Sequence, residues 1–261
     1  MNFNLSNIPA RTPQPRSFGI TMIADKGLGV AETENLLSIA APHIDMVKLA
    51  FGTAMVMPLL AEKIRIYQAN NIPVFFGGLL FEAFVIRNQF EDYVKMLDNY
   101  EITCAEVSDG AINISHEEKC NYIRTLAQRG MVVSEIGSKD KDKVKVTPPY
   151  KWIELMQAEL KAGASYIIAE AKEEGHEGIY RNSGEVREGL IEEILTKIPA
   201  EKIIWETPTK EQQLFFIKLL GCNANLGNIP PKEVISLEAM RVGLRGDTFD
   251  LFLNGSWKAV I

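Results

Sequence analysis

The feature of this chain that most limits its fold is a repeated alternation of short apolar runs with longer amphipathic segments. The runs are rich in β-branched and aromatic residues and do not alternate in polarity, which is typical of parallel strands buried on both faces. Eight strands are predicted, at residues 19–24, 43–49, 72–77, 102–107, 131–136, 165–170, 202–206 and 222–226. A predicted helix follows each strand, at residues 31–41, 54–69, 82–98, 116–129, 149–162, 185–197, 210–220 and 231–243. Eight successive strand–helix units predict an α/β fold with a parallel sheet.

Signals at the ends of the helices support this division. Ser115–Glu118 and Thr209–Gln212 have the pattern of capping boxes, in which side chains satisfy the free N–H groups at the start of a helix. Gly130, Gly163 and Gly221 each lie between a predicted helix and the next predicted strand, where a left-handed residue commonly ends a helix. Local sequence and apolar pattern therefore predict the same elements.

The length of the chain favours a closed sheet over an open one. Eight units within 261 residues fit a (β/α)8 TIM barrel better than a doubly wound sheet. No Gly-x-Gly-x-x-Gly motif follows the first predicted strand, which argues against a dinucleotide-binding fold. No proline-rich linker or shift in composition divides the chain. We therefore predict one domain over residues 1–261, with 1–16 as an N-terminal extension and 250–261 as a C-terminal tail.

Composition excludes several classes of function. The net charge of −6 argues against binding to nucleic acid, which requires a basic face. No apolar run is long enough to cross a bilayer and the first residues lack an apolar signal core, so we expect a cytoplasmic protein with no membrane contact. Cys104, Cys120 and Cys222 show no paired spacing, and we expect buried apolar residues rather than a disulfide or a zinc site.

Polar residues follow the predicted strands where a TIM barrel carries its active site. That site forms at the C-terminal ends of the strands, and buried charges there are costly unless they pair or function. Seven of the eight predicted strands end with an ionisable residue close by. The candidates are Asp25, Lys26, Lys48, Gly78, Glu106, Ser108, Asp109, Glu135, Lys139, Glu170, Arg181, Glu206, Asn225 and Asn228.

The glutamates among these candidates predict a metal ion. Four carboxylates around one opening repel one another and require cations. Lys48, Lys139 and Arg181 are expected to supply part of the positive charge, and a hard divalent ion with oxygen ligands the rest. Mg²⁺ is the natural ion because it uses one or two protein carboxylates and leaves room for substrate. The expected ligands are Glu106, Glu135 and Glu170, with Asp109 and Glu206 as alternates.

The segment from Lys172 to Glu185 is long for a connection between a strand and a helix. It contains several glycines and is expected either to close over the site as a lid or to form a surface insertion. The sequence leaves both interpretations open.

Several strings around the candidates are longer than isolated motifs, and together they resemble the phosphosulfolactate synthase family. The resemblance runs from about Arg16 to Phe249, in order and at the expected spacings. The strings are Asp25-Lys26-Gly27-Leu28, Val47-Lys48-x-x-Phe51-Gly52-Thr53, Gly77-Gly78-x-Leu80-Phe81-Glu82, Glu106-x-Ser108-Asp109-Gly110, Ser134-Glu135-x-Gly137-x-Lys139, Asn225-Leu226-x-Asn228-Ile229 and Leu244-Arg245-Gly246-Asp247-Thr248-Phe249.

The resemblance implies a (β/α)8 barrel that depends on Mg²⁺ and acts as a carbon–sulfur lyase. The implied reaction is the reversible addition of sulfite to phosphoenolpyruvate, giving (2R)-2-phospho-3-sulfolactate for coenzyme M synthesis or sulfolactate formation. Lys139 is implied as the general acid, which its place after the fifth strand also supports, with Lys48 as the second catalytic lysine. The family tends to form oligomers and residues 249–253 are apolar, so we expect a homo-oligomer of three or more chains.

The residues expected to bind substrate lie in the loops that follow the strands. Lys26, Lys48 and Arg181 are expected to hold phosphate, carboxylate or sulfonate groups. Asn225 and Asn228 are expected beyond the eighth strand, where many TIM barrels bind phosphate. The predicted binding set is Lys26, Asp25, Arg181, Asn225, Asn228, Ser108 and Gly78.

One departure from the family pattern follows the second strand. The family often has Phe-Gly-Trp-Gly-Thr-Ser, whereas residues 49–54 read Leu-Ala-Phe-Gly-Thr-Ala and so lack an indole and a hydroxyl. Two alternative functions remain open. One is another TIM-barrel lyase or aldolase acting on a phosphorylated carboxylate, with Lys48 or Lys139 as a Schiff-base nucleophile. The other is a non-catalytic binding protein, because the family includes plant proteins of heat stress.

Overall fold

A computed structural model describes residues 3–137, 147–171, 175, 177–253 and 257. Its sheet has eight strands, and every paired neighbour runs parallel. The strands are β1 (Thr21–Asp25), β2 (Met46–Leu49), β3 (Val74–Phe76), β4 (Cys104–Val107), β5 (Met131–Ile136), β6 (Tyr166–Ala169), β7 (Ile203–Glu206) and β8 (Leu226–Ile229). They are ordered β3-β2-β1-β8-β7-β6-β5-β4, and the two ends of this order, β3 and β4, lie in contact. The sheet is a nearly closed (β/α)8 barrel, as the sequence predicted.

The helices surround the barrel and connect successive strands. In the described part of the chain they are α1 (Val30–Ala40), α2 (Leu60–Ala69), α3 (Gly78–Val85), α4 (Phe90–Asn99), α5 (His116–Ala127), α6 (Pro149–Ala162), α7 (Glu188–Leu195), α8 (Lys210–Leu220) and α9 (Val234–Arg241). Ser115 caps α5 through the N–H of Glu118, and Thr209 and Gln212 form the predicted capping box of α8. No helix of the described residues is both long and apolar enough to cross a bilayer.

Three differences from the predicted element boundaries are the largest. The predicted helix 82–98 is two helices, because Asn88 adopts a left-handed conformation (φ 56°) that a helix cannot contain. The predicted helix 54–69 begins only at Leu60, after a 3₁₀ segment at Ala50–Met55. The eighth strand lies four residues later than predicted, which matters for Asn225 below.

Two layers of apolar residues hold the barrel together. One fills its interior and includes Met22, Met46 and Phe75, while the other lies between the strands and the helices and includes Ile23 and Val47. Successive strand residues belong to alternate layers because side chains along a strand point to opposite faces. This parity determines which polar residues can reach the barrel interior.

The N-terminal end of the barrel is closed by arginines rather than left open. Arg11, in the N-terminal extension, pairs with Glu238 of α9 at 2.9 Å and donates to the carbonyl of Cys222. The fully buried Arg241 donates to the carbonyls of Cys222, Ala224 and Ile20. These bonds satisfy backbone groups at that end of the sheet and tie the extension to the barrel. Cys104, Cys120 and Cys222 are buried and unbonded to one another, as expected.

Candidate active site

A layer of polar side chains lies directly above the apolar interior, at the C-terminal ends of the strands. The interior residues Met46, Cys104, Val133, Ile168 and Ile204 are each followed two positions later by a charged residue. The period of two along a strand points these residues into the barrel as well. We call them the polar layer; its members are Lys48, Glu106, Glu135, Glu170 and Glu206, all of which are buried.

Lys48 lies at the centre of the polar layer. Its Nζ is 2.8 Å from Glu106 Oε1, 3.2 Å from Glu135 Oε2 and 3.3 Å from Glu206 Oε1. Three strands on the far side of the barrel therefore direct carboxylates at one ammonium from β2. The predicted convergence of glutamates is present, and Lys48 supplies the cation that their repulsion requires.

Burial and mutual attraction shift the pKa values of this layer. Burial alone lowers the pKa of Lys48, but the attraction of its carboxylate partners outweighs burial and raises the pKa well above its ordinary value. Burial raises the pKa of Glu106 to about 8 against the opposing pull of Lys48. Burial also raises the pKa of Glu206. The layer therefore tends to hold a proton at neutral pH instead of ionising fully.

The metal prediction needs a correction to its ligand set. No group of three or more His, Cys, Asp or Glu side chains is arranged to hold a metal ion within residues 3–137, 147–171, 175, 177–253 and 257. Glu106, Glu135 and Glu170 are therefore not grouped as a three-carboxylate site, and the ammonium of Lys48 lies against two of them, Glu106 and Glu135. Glu106 Oε2 is nevertheless buried with no hydrogen-bond partner. An oxygen of this kind fits Mg²⁺, which needs only one or two protein carboxylates.

Glycines shape the walls beside the polar layer. A Cβ on Gly137 would lie 1.8 Å from Glu170 Oε2, so the position of that carboxylate requires glycine here. A Cβ on Gly78, the first residue of α3, would lie 2.2 Å from Ser108 Oγ. Gly78 therefore allows the close approach of α3 to the loop after β4.

The loop after β4 is fixed by Glu82 of α3. Glu82 is buried, and its Oε1 accepts hydrogen bonds from Ser108 Oγ and from the N–H of Gly110, the latter at 3.1 Å. Ser108 is thus engaged in holding the loop, which corrects its prediction as a substrate contact. Asp109, the alternate metal ligand, instead pairs with Lys119 at 3.0 Å.

Lys119 and Lys63 are buried lysines that the sequence analysis missed. Lys119 Nζ donates to the carbonyl of Glu135 at 2.6 Å and pairs with Glu159 at 3.0 Å, so it joins α5 and α6 to the end of β5. The burial of Lys119 could have been predicted from the sequence, because Lys119 lies on the same helical face as the buried Ile123. Lys63 shares a buried face of α2 with Tyr67 in the same way.

Asp25 faces away from the barrel interior, and its predicted contact with substrate is wrong. Parity explains the error: Met22 belongs to the interior layer, so Ile23 and Asp25 point outward toward the helices. Asp25 Oδ2 pairs with Lys63 at 2.6 Å and accepts from Tyr67 at 2.8 Å. Its Oδ1 accepts from the N–H groups of residues 27 and 28. Asp25 therefore shapes the turn that presents Lys26, which is exposed at the rim of the barrel.

The two asparagines of the predicted phosphate site lie at opposite ends of the barrel. Asn225 precedes β8, and its side chain bonds the N–H of Ile20 and the carbonyls of Glu201 and Ile203, at the N-terminal end of the barrel. Its prediction as a substrate contact is wrong because the eighth strand begins four residues later than expected. Asn228 does lie at the C-terminal end, half-buried and left-handed (φ 55°).

The described part of the segment after β6 is anchored to the barrel. Tyr180 is buried and donates to the carbonyl of Glu206 at 2.6 Å, and Gln212 donates to the carbonyl of Gly175 at 2.9 Å. Arg181 is 66% exposed and lies 3.6 Å from Glu185 on the same turn. The structure therefore does not bring Arg181 into the polar layer. Lys139 lies outside the described residues.

Comparison with known proteins now adds to this geometry. Residues 9–247 match the family described as (2R)-phospho-3-sulfolactate synthase (ComA). The chain belongs to this family. A phosphosulfolactate synthase of Methanothermobacter thermautotrophicus is 38% identical over 92% of this chain and 95% of its own length. One from Bacillus subtilis is 34% identical over 96% of this chain and 100% of its own.

Solved structures agree on the fold at much lower sequence identity. 3-Hexulose-6-phosphate synthase from Salmonella typhimurium has a TM-score of 0.52 at 13% identity, covering 90% of this chain and 98% of its own. Oxaloacetate acetylhydrolase in complex with oxalate has a TM-score of 0.51 at 10% identity, covering 94% and 86%. The family match confirms the predicted family and an enzyme rather than a binding module. The two solved structures agree with the predicted barrel.

Proposed function

We propose that this chain catalyses the reaction for which its family is named, the addition of sulfite to phosphoenolpyruvate to give (2R)-2-phospho-3-sulfolactate. The observation that carries the proposal is the family match over residues 9–247. The polar layer supports it, because its buried carboxylates and lysine lie where a TIM barrel carries out chemistry.

The proposed chemistry forms one carbon–sulfur bond and adds one proton. The sulfur lone pair of sulfite attacks C3 of phosphoenolpyruvate, and the electrons of the C2–C3 double bond move toward the carboxylate. A general acid then delivers a proton to C2 on one face. We assign this role to Lys139, because the family resemblance and its place after β5 both favour it.

The residues of the polar layer have a supporting part in this proposal. Lys48 offsets the negative charge of Glu106, Glu135 and Glu206, which otherwise repels both anionic substrates. Glu106, through its unpartnered Oε2, and Glu135 beside it are the residues we assign to hold Mg²⁺. When bound, Mg²⁺ stabilises the negative charge that develops on the substrate carboxylate.

The test is direct. Purified protein incubated with phosphoenolpyruvate, sulfite and Mg²⁺ should form a phosphorylated sulfonate, followed by ³¹P NMR and mass spectrometry. Lys139→Ala protein is the matched control and should form little. Absence of the product from wild-type protein at high enzyme concentration would refute the proposal.

Neither alternative function gains support from the site. An amine that forms a Schiff base must be uncharged, whereas the pKa of Lys48 is raised by three carboxylate partners. Borohydride should therefore trap no carbonyl substrate on Lys48. A purely binding role leaves the buried polar layer unexplained, because buried charges are costly without a function.

We also propose that the chain forms a homo-oligomer of three or more copies in the cytoplasm. Support for assembly comes from exposed large apolar side chains, among them Phe249 at 61% exposure in the predicted apolar tail. Leu251 and Phe252 of the same tail pack on the barrel instead. A cytoplasmic location is supported by the proposed substrate, since a phosphorylated carboxylate does not cross a bilayer unaided.

A further inference from the structure

Phe51 has a backbone conformation that is costly for an aromatic residue. It lies in the left-handed region (φ 60°, ψ 3°) and is followed by a second left-handed residue, Gly52 (φ 88°). Left-handed backbone is disfavoured for bulky residues, whose Cβ crowds the neighbouring carbonyl. Glycine adopts this conformation freely, so the presence of Phe at this position indicates that its ring is used.

The surrounding loop forces this conformation. The N–H of Gly77, at the end of β3, donates to the carbonyl of Leu49 at 2.9 Å, and Thr53 Oγ1 donates to the carbonyl of Ala50 at 2.8 Å. A Cβ on Gly77 would lie 3.3 Å from the nitrogen of Phe51, so the two loops are in close contact. The backbone on both sides of Phe51 is thus fixed, and its ring is 44% exposed at the rim of the barrel.

The ring of Phe51 lies beside a candidate substrate-binding lysine. Lys26 Nζ is 5.3 Å from the ring centroid, within the range of a cation–π interaction. Lys26 follows β1 and Phe51 follows β2, and these strands pair along their length. Ideal Cβ atoms on Gly27 and Gly52, the next residue in each loop, would meet no atom of the described residues within 4 Å. The described part of the chain therefore does not crowd the pair.

We propose that Phe51 is a positioning residue that holds the ammonium of Lys26 at the rim for an anionic group of the phosphorylated substrate. The inference rests on the proposed function for the identity of that substrate. Within the polar layer three carboxylates offset the charge of Lys48, whereas Lys26, in the loop after β1, is exposed at the rim and contacts the ring of Phe51. A lysine side chain is flexible, and an aromatic surface reduces the number of positions that its ammonium occupies.

The test measures phosphoenolpyruvate affinity by calorimetry and the steady-state constants in four variants. Phe51→Leu should raise the Kd and KM for phosphoenolpyruvate about two- to fivefold, the range for an exposed cation–π contact. Lys26→Met should raise both roughly tenfold or more, as expected for loss of a charge-assisted hydrogen bond. The double variant should equal Lys26→Met, because without the ammonium the ring has nothing to hold. Phe51→Trp should remain close to wild type.

Three further variants separate positioning from structure. Glycine adopts the left-handed backbone at position 51 without strain. The Phe51→Gly variant should therefore melt at or above the melting temperature of Phe51→Ala and still lose affinity for phosphoenolpyruvate. Phe18→Leu is the matched control, since Phe18 is 37% exposed at the opposite end of the barrel, and it should change nothing. The kcat and the KM for sulfite should stay within about twofold of wild type in Phe51→Leu, because the proposed contact acts on binding of the other substrate.

Several results would overturn the inference. One is an affinity for phosphoenolpyruvate that is unchanged in Phe51→Leu or Phe51→Gly. Another is an effect of Phe51→Leu on that affinity that is equally large in the presence and in the absence of Lys26. A third is a rise in the KM for sulfite alone. A change in molecular mass that accompanies the loss of affinity would also overturn it, because Phe51 would then serve subunit contact. If wild type binds phosphoenolpyruvate with this pattern of variants but forms no sulfonate, the proposed function fails and the inference stands. If wild type binds no phosphoenolpyruvate, the inference fails.

Discussion

Replacing Lys48 by Met tests the electrostatic account of the polar layer. The substitution preserves most of the side-chain volume and removes the ammonium that contacts Glu106, Glu135 and Glu206. These carboxylates are buried, so the folded protein can compensate only by taking up a proton. Glu106 already has a raised pKa of about 8. Burial also raises the pKa of Glu206, which we expect to take up the next proton.

The cost of that proton sets the expected loss of stability. Glu206 has an ordinary pKa of 4.5, and keeping such a carboxyl protonated costs about 1.4 kcal/mol for each pH unit above that value. Lys48→Met should therefore lose up to about 3 kcal/mol at pH 7 and up to about 1 kcal/mol at pH 5.5. The loss at pH 7 is of the size that follows removal of one partner from a buried ion pair, roughly 3–5 kcal/mol.

The direction of the pH dependence follows from the same argument. In the variant, a carboxyl has a folded pKa raised above its unfolded value. Its contribution to stability is then fully present below pH 4.5 and is lost as the pH rises toward the raised value. Lys48→Met should accordingly approach wild-type stability at low pH and fall further behind it as the pH rises.

Urea denaturation followed by circular dichroism at pH 5.5 and pH 7 measures both quantities. Lys48→Met with Glu135→Gln is the control, because it removes the cation and one carboxylate together and should recover most of the loss. A loss below about 1 kcal/mol, or one of equal size at both pH values, would refute the account of Lys48 as the counter-cation.

The remaining predictions concern the metal, the proton donor and assembly. Activity should vanish with EDTA and return with Mg²⁺, and calorimetry should show Mg²⁺ affinity falling in Glu106→Gln; full activity of metal-stripped protein would contradict the metal proposal. In Lys139→Ala, kcat should fall by a factor of about 10²–10⁴ with little change in KM. Lys139→Arg should recover little of this activity, because guanidinium keeps its proton. Near wild-type turnover by the Arg variant would show that the lysine acts only through its charge. Light scattering should give a mass of at least three times the 29.2 kDa of one chain, whereas a mass near 29.2 kDa would refute the oligomer.

The position of the glutamates at the ends of the predicted strands was enough to predict most of the polar layer. Glu106, Glu135, Glu170 and Glu206 were expected around one opening, and each lies two positions after an apolar interior residue. The period of two along a strand was not applied to Asp25, whose outward direction follows from Met22 and Ile23. The sequence could not show that Lys48 reaches across the barrel to three carboxylates, since that depends on the diameter of the closed sheet.

Side chains that hold loops were the least predictable part of the site. Ser108 and Asn225 have the same donors and acceptors whether they bind substrate or other groups of the protein, and only their neighbours in space distinguish the two roles. Asn225 was misplaced by an error of four residues in one strand, which is enough to move a residue from one end of the barrel to the other. Lys119 and Lys63 were detectable as charged residues on apolar helical faces.

The positions of the charges suggest how the barrel receives two anionic substrates. Three carboxylates contact the buried ammonium of Lys48 and offset its charge, so Lys48 attracts a phosphate only weakly. Lys26 lies at the rim, exposed to the solvent from which substrate arrives. Under the proposed function, an arriving anion meets Lys26 first, and Lys48 acts mainly by offsetting the carboxylates of the polar layer.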